Sequence, residues 1–138
     1  ALALLLCLIK IADWVAPYEN LTEDGCTLNY VYDGDTVSIA CDGDVQTARL
    51  VGFDTPETKE PGCAAEQRLG TRATQRLRVL VRSGDVTMSG SGHDRYGRLL
   101  ASVYVNGTDV GDTLIAEALA VPYTGGARIN WCERLGAS

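Results

Sequence analysis

The sequence predicts a mainly β fold with helices (α+β), built as a five-stranded closed barrel with two or three α-helices. Three observations predict it: runs rich in Val, Ile, Thr and Tyr, Asp-Gly and Asn-Gly turns between them, and two stretches with apolar residues at helical spacing. A chain of 138 residues suits one domain with a single hydrophobic core. Five strands with a helix between the third and the fourth are typical of a small closed barrel.

The first three strands are predicted to form an antiparallel meander. Two dipeptides, Asp33-Gly34 and Asp42-Gly43, separate strand-like runs. Such dipeptides favour tight hairpin turns because both central positions need positive φ. The predicted strands are residues 27–32, 35–41 and 45–53.

The remaining elements follow from apolar periodicity. A first helix is predicted over residues 63–82, where arginines are interleaved with apolar positions. A solvated helix face explains these arginines better than a DNA-binding stripe does. Residues 86–89 and 99–105 are the fourth and fifth strands, and a second helix follows the turn at Asn106-Gly107.

The composition disfavours several classes of site. A formal net charge of −6 argues against a continuous basic surface that grips nucleic acid. His93 is the single histidine of the sequence and fits a solvated loop, so a Ser/His/Asp triad and a histidine-rich zinc site are poorly supported. The five cysteines include no Cys-x-x-Cys pair, so disulfides fit them better than structural zinc.

The first 25 residues differ in composition from the rest. Residues 1–16 are an apolar leader that contains ALALLLCLI, residues 17–25 are a polar linker, and residues 26–138 form the domain. The leader resembles the end of a secretory signal, which together with disulfides predicts a secreted or periplasmic protein. The alternatives are membrane anchorage through residues 1–9 and a helix packed in the mature domain.

The first hairpin predicts a disulfide. A turn centred between Asp33 and Gly34 sets Cys26 opposite Cys41, and opposed strand residues have Cα atoms ~4.5–5.5 Å apart, within the span of a disulfide. Cys63 and Cys132 then form the second pair by elimination, because Cys7 lies in the leader.

The second hairpin predicts a cation site. A turn at Asp42-Gly43 sets Asp35 beside residues 51–53, so Asp35 and Asp54 meet at one end of the meander. Two such carboxylates repel each other unless a cation or a proton lies between them. Oxygen donors with no nearby His or Cys favour a hard ion such as calcium or magnesium.

The third strand carries an arginine at its start and carboxylates where it ends. Strict alternation would place Arg49 and Asp54 on opposite faces, and a bulge at Gly52 would bring them to the same face. Pro56 ends strand pairing, which leaves Glu57 projecting from a loop above the cation.

Three motifs carry a resemblance to a known family. They are DGDT at residues 33–36, RLVGFDTPE at 49–57 and DRYGR at 94–98, with a helix between the second and the third. In this order they resemble the staphylococcal nuclease (thermonuclease) family, over about residues 26–123. The resemblance implies a barrel of the oligonucleotide-binding (OB) type and a calcium-dependent nuclease of the secreted bacterial type.

The resemblance also implies roles for individual residues. It implies Asp35, Asp54 and the backbone carbonyl of Thr55 as calcium ligands, with Asp33 supporting them from behind. Glu57 matches the proposed general base, and two arginines match those that hold the scissile phosphate. The phosphate-holding arginines are Arg49 and Arg98, and the implied substrate contacts are Arg95, Tyr96 and, more loosely, Tyr123. Asp94 fits a role in bracing its loop by hydrogen bonds better than a role as a ligand.

The expected activity is calcium-dependent hydrolysis of DNA and/or RNA, by attack of water on the phosphate and cleavage of the bond to the 5′-oxygen. The expected substrates are single-stranded or denatured DNA and RNA, and a monomer with no protein partner is implied. The alternative is a catalytically silent OB-type module that binds nucleic acid or protein. A purely structural calcium module would leave Glu57 and the paired arginines without a task.

Overall fold

The computed structural model describes residues 26–137, in which a mixed sheet carries three helices. The leader and linker predicted over residues 1–25 lie outside the described residues. The strands are β1 (Cys26–Asp33), β2 (Thr36–Cys41), β3 (Asp44–Leu50), β4 (Gly52–Asp54), β5 (Val86–His93), β6 (Leu99–Val105), β7 (Thr108–Asp109) and β8 (Val121–Tyr123). The helices are α1 (Ala64–Leu80), α2 (Val110–Ala116) and α3 (Trp131–Arg134).

The main sheet has the order β1-β2-β3-β6-β5, and β7 pairs with β6. Its neighbours are antiparallel except for β3 and β6, which run parallel. This mixed sheet with three helices is consistent with the predicted OB-type α+β fold. Within residues 26–137 no ladder joins β1 to β5, so closure into a barrel stays a prediction.

The first hairpin turns one residue later than predicted. Asp33 pairs with Thr36, and neither Asp33 nor Gly34 has positive φ, so the predicted turn geometry at this dipeptide is wrong. Two register shifts along β1 compensate and bring Cys26 opposite Cys41. The second turn is as predicted, since Asp42 and Gly43 have φ of 50° and 88°.

Both predicted disulfides are present. Cys26–Cys41 joins the ends of β1 and β2. Cys63–Cys132 joins the residue before α1 to α3 across 69 positions of sequence. The second bridge therefore fastens the carboxy-terminal segment next to the start of α1.

Helix α1 packs its apolar face on the sheet. Ala73 and Leu77 on this helix are fully buried in the same core as Val31 of β1 and Phe53 of β4, as the periodicity of residues 63–82 predicts. Arg68 and Arg72 on the outer face are exposed, as predicted. Arg76 and Arg78 are half-buried, and Arg76 pairs with Glu117. None of the helices in residues 26–137 has the length and apolar character needed to cross a membrane.

Candidate functional site

Asp35 is fixed by its neighbours at the turn between β1 and β2. Its backbone N–H donates to Asp33 Oδ1 at 3.1 Å. Its Oδ2 accepts the Thr55 N–H and its Oδ1 accepts the Thr36 hydroxyl, each at 3.1 Å. The carboxylate is thus held between the turn and the segment that follows β4. Asp33 accepts the Asp35 N–H and so helps to position Asp35, as the resemblance implies.

The strand is interrupted between β3 and β4, where the φ angle of Gly52 is +93°. This backbone conformation favours glycine, and it ends the regular alternation along the strand. Arg49 and Asp54 consequently meet, with Arg49 Nη2 3.4 Å from Asp54 Oδ1. The predicted bulge at Gly52 is instead an interruption between β3 and β4, which lie in different sheets, and it has the predicted effect of bringing Arg49 and Asp54 together.

Arg49 joins the two predicted carboxylates. Its Nη2 lies 3.3 Å from Asp35 Oδ2 as well as 3.4 Å from Asp54 Oδ1. The predicted meeting of Asp35 and Asp54 at one end of the meander is therefore confirmed. Asp35 itself lies opposite Leu50, whose N–H donates to the Asp35 carbonyl at 2.8 Å, rather than opposite residues 51–53.

The Arg49 guanidinium is also anchored to the backbone. It donates to the carbonyl oxygens of Leu50 at 2.5 Å and Phe53 at 3.3 Å. Only 15% of its side chain is exposed. The cation has a fixed position under the carboxylates and needs little reorganisation to meet an anion at the open side.

Glu57 lies on a loop that packs closely against α1. A Cβ at Gly70 would lie 2.6 Å from the Pro56 carbonyl oxygen, so only glycine allows this approach. Glu66, in the first turn of α1, accepts the Glu57 N–H at Oε2 (3.1 Å) and the Gly62 N–H at Oε1 (2.8 Å). The buried Glu66 carboxylate therefore fixes the backbone that carries Glu57.

Sequence reasoning missed Glu66. A signal was available, because Glu66 is the third residue after the amino-terminal cap of α1, where glutamate commonly accepts backbone N–H groups from the preceding segment.

The loop before β6 is braced by Asp94, as predicted. Its Oδ1 accepts the N–H groups of Tyr96 and Arg98, and its Oδ2 lies 2.7 Å from Arg98 Nε. Desolvation acts to raise the pKa of Asp94, but hydrogen bonds from Arg98 and Tyr96 outweigh it and hold that pKa below its ordinary value. Asp94 thus orients Arg98.

Arg95 and Tyr96 form an exposed pair at the tip of this loop. The Arg95 guanidinium carbon lies 4.9 Å from the centre of the Tyr96 ring, and Arg95 Nη2 donates to the Tyr96 hydroxyl at 2.8 Å. Tyr96 is 70% exposed, so the ring and the cation are both available to a substrate.

Arg128 and Trp131 contact Asp54 from the carboxy-terminal segment. Arg128 Nε donates to Asp54 Oδ1 at 2.9 Å, and Trp131 Nε1 donates to Asp54 Oδ2 at 3.0 Å. Arg128 also donates to Glu57 Oε1 at 2.5 Å and to the Thr55 carbonyl at 3.3 Å. Sequence reasoning missed both residues, although the predicted Cys63–Cys132 bridge already drew this segment towards the site.

Burial and neighbouring charge shift two pKa values here. Burial and then repulsion by Asp35 raise the pKa of Asp33 to about 6. Burial acts to lower the pKa of Arg128. Hydrogen bonds to Asp54 and Glu57, and the negative charges of these two residues, outweigh burial and raise that pKa above its ordinary value. Arg128 is therefore a permanent cation against these carboxylates.

One cleft of about 580 Å³ collects most of the predicted site residues. Asp54 and Thr55 are buried beneath it. Tyr123 lies at its wall, opposite Gly52 in the β4–β8 pair, and its hydroxyl donates to the Gly126 carbonyl at 2.7 Å. The predicted residues that line the cleft are Asp33, Asp35, Arg49, Glu57, Arg95, Tyr96, Arg98 and Tyr123, and Arg128 joins them.

The donors at the cleft floor suit an oxygen-preferring cation. Asp35, Asp54 and the Thr55 carbonyl offer only oxygen, which hard ions prefer. Arg128 donates to Asp54 and to this carbonyl, so these atoms already attract positive charge. Within residues 26–137 there is no group of three or more His, Cys, Asp or Glu side chains placed to hold a metal ion, so an ion here needs backbone oxygen, water or substrate to complete its shell.

Comparison with known proteins agrees with the motifs. The family model for staphylococcal nuclease homologues matches residues 47–131. Among curated proteins, the SPbeta prophage-derived endonuclease YokF of Bacillus subtilis is 44% identical over 97 residues, and endonuclease YncB of the same organism is 43% identical over 97 residues. Both alignments cover 68% of this chain, and they cover 32% of YokF and 46% of YncB.

A third relative is the thermonuclease of Staphylococcus hyicus, 33% identical over 107 residues, which are 76% of this chain and 63% of that protein. The matched region contains RLVGFDTPE, DRYGR and the segment with Arg128 and Trp131. The chain belongs to the staphylococcal nuclease homologue family.

Proposed function

We propose that this chain hydrolyses phosphodiester bonds of DNA and/or RNA in a calcium-dependent reaction. The observation that carries the proposal is the convergence of Asp35, Asp54 and Glu57 with Arg49 and Arg98 around one cleft. Relatives of the same family are named endonucleases and a thermonuclease, which supports the reaction class.

Calcium is the cation that the donor set supports best. Asp35, Asp54 and the Thr55 carbonyl would hold it, and water and a phosphate oxygen would fill the remaining places, since calcium takes ~6–8 oxygen ligands. A bound calcium ion would lower the barrier by neutralising phosphate charge and polarising the attacking water.

The side chains of the cleft supply the remaining chemistry. Glu57 is proposed to accept a proton from the attacking water, which requires its carboxylate to be released from Arg128. Arg49 and Arg98 are proposed to donate N–H groups to the phosphate oxygens as charge develops on them. The water oxygen forms the new P–O bond as the bond to the 5′-oxygen breaks. The departing 5′-oxygen takes up a proton from solvent, so the products are a 3′-phosphate and a 5′-hydroxyl.

The bases flanking the phosphate need contacts of their own. Tyr123 is proposed to provide a stacking surface, and Arg95 and Tyr96 a contact to a terminal phosphate. Aromatic stacking favours unpaired bases, which supports single-stranded or denatured substrate.

We also propose that the protein works outside the reducing cytosol. Cys26–Cys41 and Cys63–Cys132 support this, because such bridges persist in oxidising compartments.

The test is hydrolysis of heat-denatured DNA by the purified, disulfide-intact chain, with calcium and then with a chelator plus magnesium. Cleavage that requires calcium and leaves 3′-phosphate ends is expected. Absence of cleavage by a folded sample would favour the catalytically silent OB-type module, and binding of the same DNA without turnover would identify it.

A further inference from the structure

Arg128 contacts the same atoms that the proposed reaction needs. Its Nε and Nη2 each lie 2.9 Å from Asp54 Oδ1, its Nη2 lies 3.3 Å from the Thr55 carbonyl oxygen, and its Nη1 lies 2.5 Å from Glu57 Oε1. One guanidinium thus binds both proposed cation donors of this segment and the proposed base.

We propose that Arg128 is an internal cation that competes with calcium for Asp54 and Thr55 and thereby sets the metal affinity of the site. The inference rests on the proposed function, because it names a residue that opposes the cation of that reaction. Arg128 is a positioning residue in this scheme: it holds Asp54 and Glu57 in place until the divalent ion displaces it.

The geometry at Asp54 makes the two cations exclusive. Trp131 Nε1 donates to Oδ2 of the buried Asp54 carboxylate, and Arg49 and Arg128 both donate to Oδ1. A calcium ion that binds Oδ1 and the Thr55 carbonyl must take the place of the Arg128 N–H groups, because a guanidinium and a metal ion cannot share these lone pairs at short distance.

The charges make the competition unequal. Asp35, Asp54 and Glu57 carry three negative charges, and the arginines that form ion pairs with them are Arg49 and Arg128. If Arg128 is removed, Arg49 neutralises one of these charges and two negative charges remain. A single guanidinium neutralises one of them, whereas a divalent cation neutralises both. Calcium therefore displaces Arg128 at sufficient concentration, but with a weakened affinity.

Arg128 can leave without unfolding the segment that carries it. Its side chain is 40% exposed, and Gly125 and Gly126 precede it with φ of 107° and 82°, where glycine meets no steric penalty. Trp131 is only 3% exposed, and the Cys63–Cys132 disulfide fastens α3. The exposed Arg128 side chain can therefore turn away from Asp54 while α3 stays in place.

The experiment is calorimetric titration of calcium, without nucleic acid, into the full chain and its variants. Arg128→Gln removes the cation and should tighten the calcium Kd by about tenfold. Arg128→Lys keeps the positive charge but not the planar guanidinium, so its calcium Kd should lie between those of the wild type and Arg128→Gln. Arg72→Gln is the matched control, because it also removes one arginine charge and Arg72 is exposed on the outer face of α1, away from the cleft.

Fluorescence of Trp131 gives a second readout in a Trp14→Phe background, since the sequence has two tryptophans. Circular dichroism and urea unfolding establish that each variant is folded. If Arg128→Gln does not fold, a Kd for Arg128→Lys below the wild-type value still supports the proposal, and an equal or higher one overturns it.

The outcomes separate this inference from the proposed function. A calcium Kd for Arg128→Gln equal to or weaker than wild type, with wild-type calcium-dependent cleavage intact, overturns the competition and leaves the nuclease proposal standing. Calcium binding by neither protein overturns the competition, and the cleavage assay with calcium and chelator then decides the proposed function separately. Tighter binding in Arg128→Gln and unchanged binding in Arg72→Gln support the competition.

Discussion

Glu66→Gln tests whether the first turn of α1 positions Glu57. The Glu66 carboxylate accepts one N–H at each oxygen, from Gly62 at 2.8 Å and from Glu57 at 3.1 Å. Glutamine has one acceptor oxygen, and its amide NH2 would face the second N–H donor. The substitution therefore keeps the size of the side chain and breaks one of the two hydrogen bonds.

The expected loss follows from burial of the Glu66 carboxylate. A backbone N–H that loses this charged acceptor in a partly buried position costs about 1–3 kcal/mol of unfolding free energy. With a urea m-value of about 2 kcal/mol/M for a domain of this size, the midpoint should fall by about 1 M. Loss of the hydrogen bond to the Glu57 N–H should also displace the proposed base. A displacement near 1 Å should lower kcat by up to about 100-fold, with KM less affected.

The assays are urea unfolding followed by circular dichroism and steady-state cleavage of denatured DNA. Glu60→Gln is the control, because Glu60 is an exposed acid on the same loop and should change neither quantity. Wild-type stability and wild-type kcat in Glu66→Gln would refute the argument that Glu66 holds the Glu57 backbone.

Three further predictions concern the proposed base, the proposed phosphate ligand and a helix cap. Glu57→Gln should slow single-turnover cleavage by about 10²–10⁴-fold while DNA affinity stays close to wild type, and near-normal turnover would remove Glu57 from the base role. Arg98→Ala should lower kcat by about 10²–10³-fold through lost transition-state charge stabilisation, and a change in KM alone would assign Arg98 to binding. Asp109 caps α2 by accepting the Gly111 N–H at 2.7 Å, and burial, with a smaller contribution from Asp112, raises its pKa above 3.8. The folded state therefore binds the proton more tightly, so the wild type should lose stability relative to Asp109→Asn as pH rises from 3.8 through the raised pKa; parallel urea midpoints across that range would contradict this.

The parts of the site that depend on local turns were predictable. The Asp42-Gly43 turn has the expected positive φ values, so the register of β2 and β3 brings Asp35 and Asp54 together as the sequence indicates. The predicted position of the first turn is wrong by one residue. The Cys26–Cys41 pair was nevertheless predicted correctly, because two register shifts in β1 cancel that error. A bulge leaves little trace in a strand of alternating side chains, so sequence reasoning could not place those shifts.

The parts that depend on distant segments were not predictable. Arg128 and Trp131 reach Asp54 across 74 and 77 positions of sequence, and neither periodicity nor turn chemistry encodes such a contact. Without the Cys63–Cys132 bridge, the segment after β8 reads as an exposed loop with an arginine and a tryptophan. With the bridge, the same residues are restricted to the neighbourhood of α1 and so of Glu57.

The charged side chains of the cleft are paired, which bears on how an acidic chain would bind the proposed polyanionic substrate. Arg98 is paired with Asp94, Arg49 with Asp35, and Arg128 with Glu57, so the cleft presents ion pairs in place of a basic surface. If the proposed reaction is correct, calcium replaces Arg128 as the partner of Asp54. Phosphate oxygens then accept N–H groups from Arg49 and Arg98, which Asp35 and Asp94 hold in position. The free energy of binding then depends on the geometry of the arginine forks and on the second charge of the metal, and not on the net charge of −6.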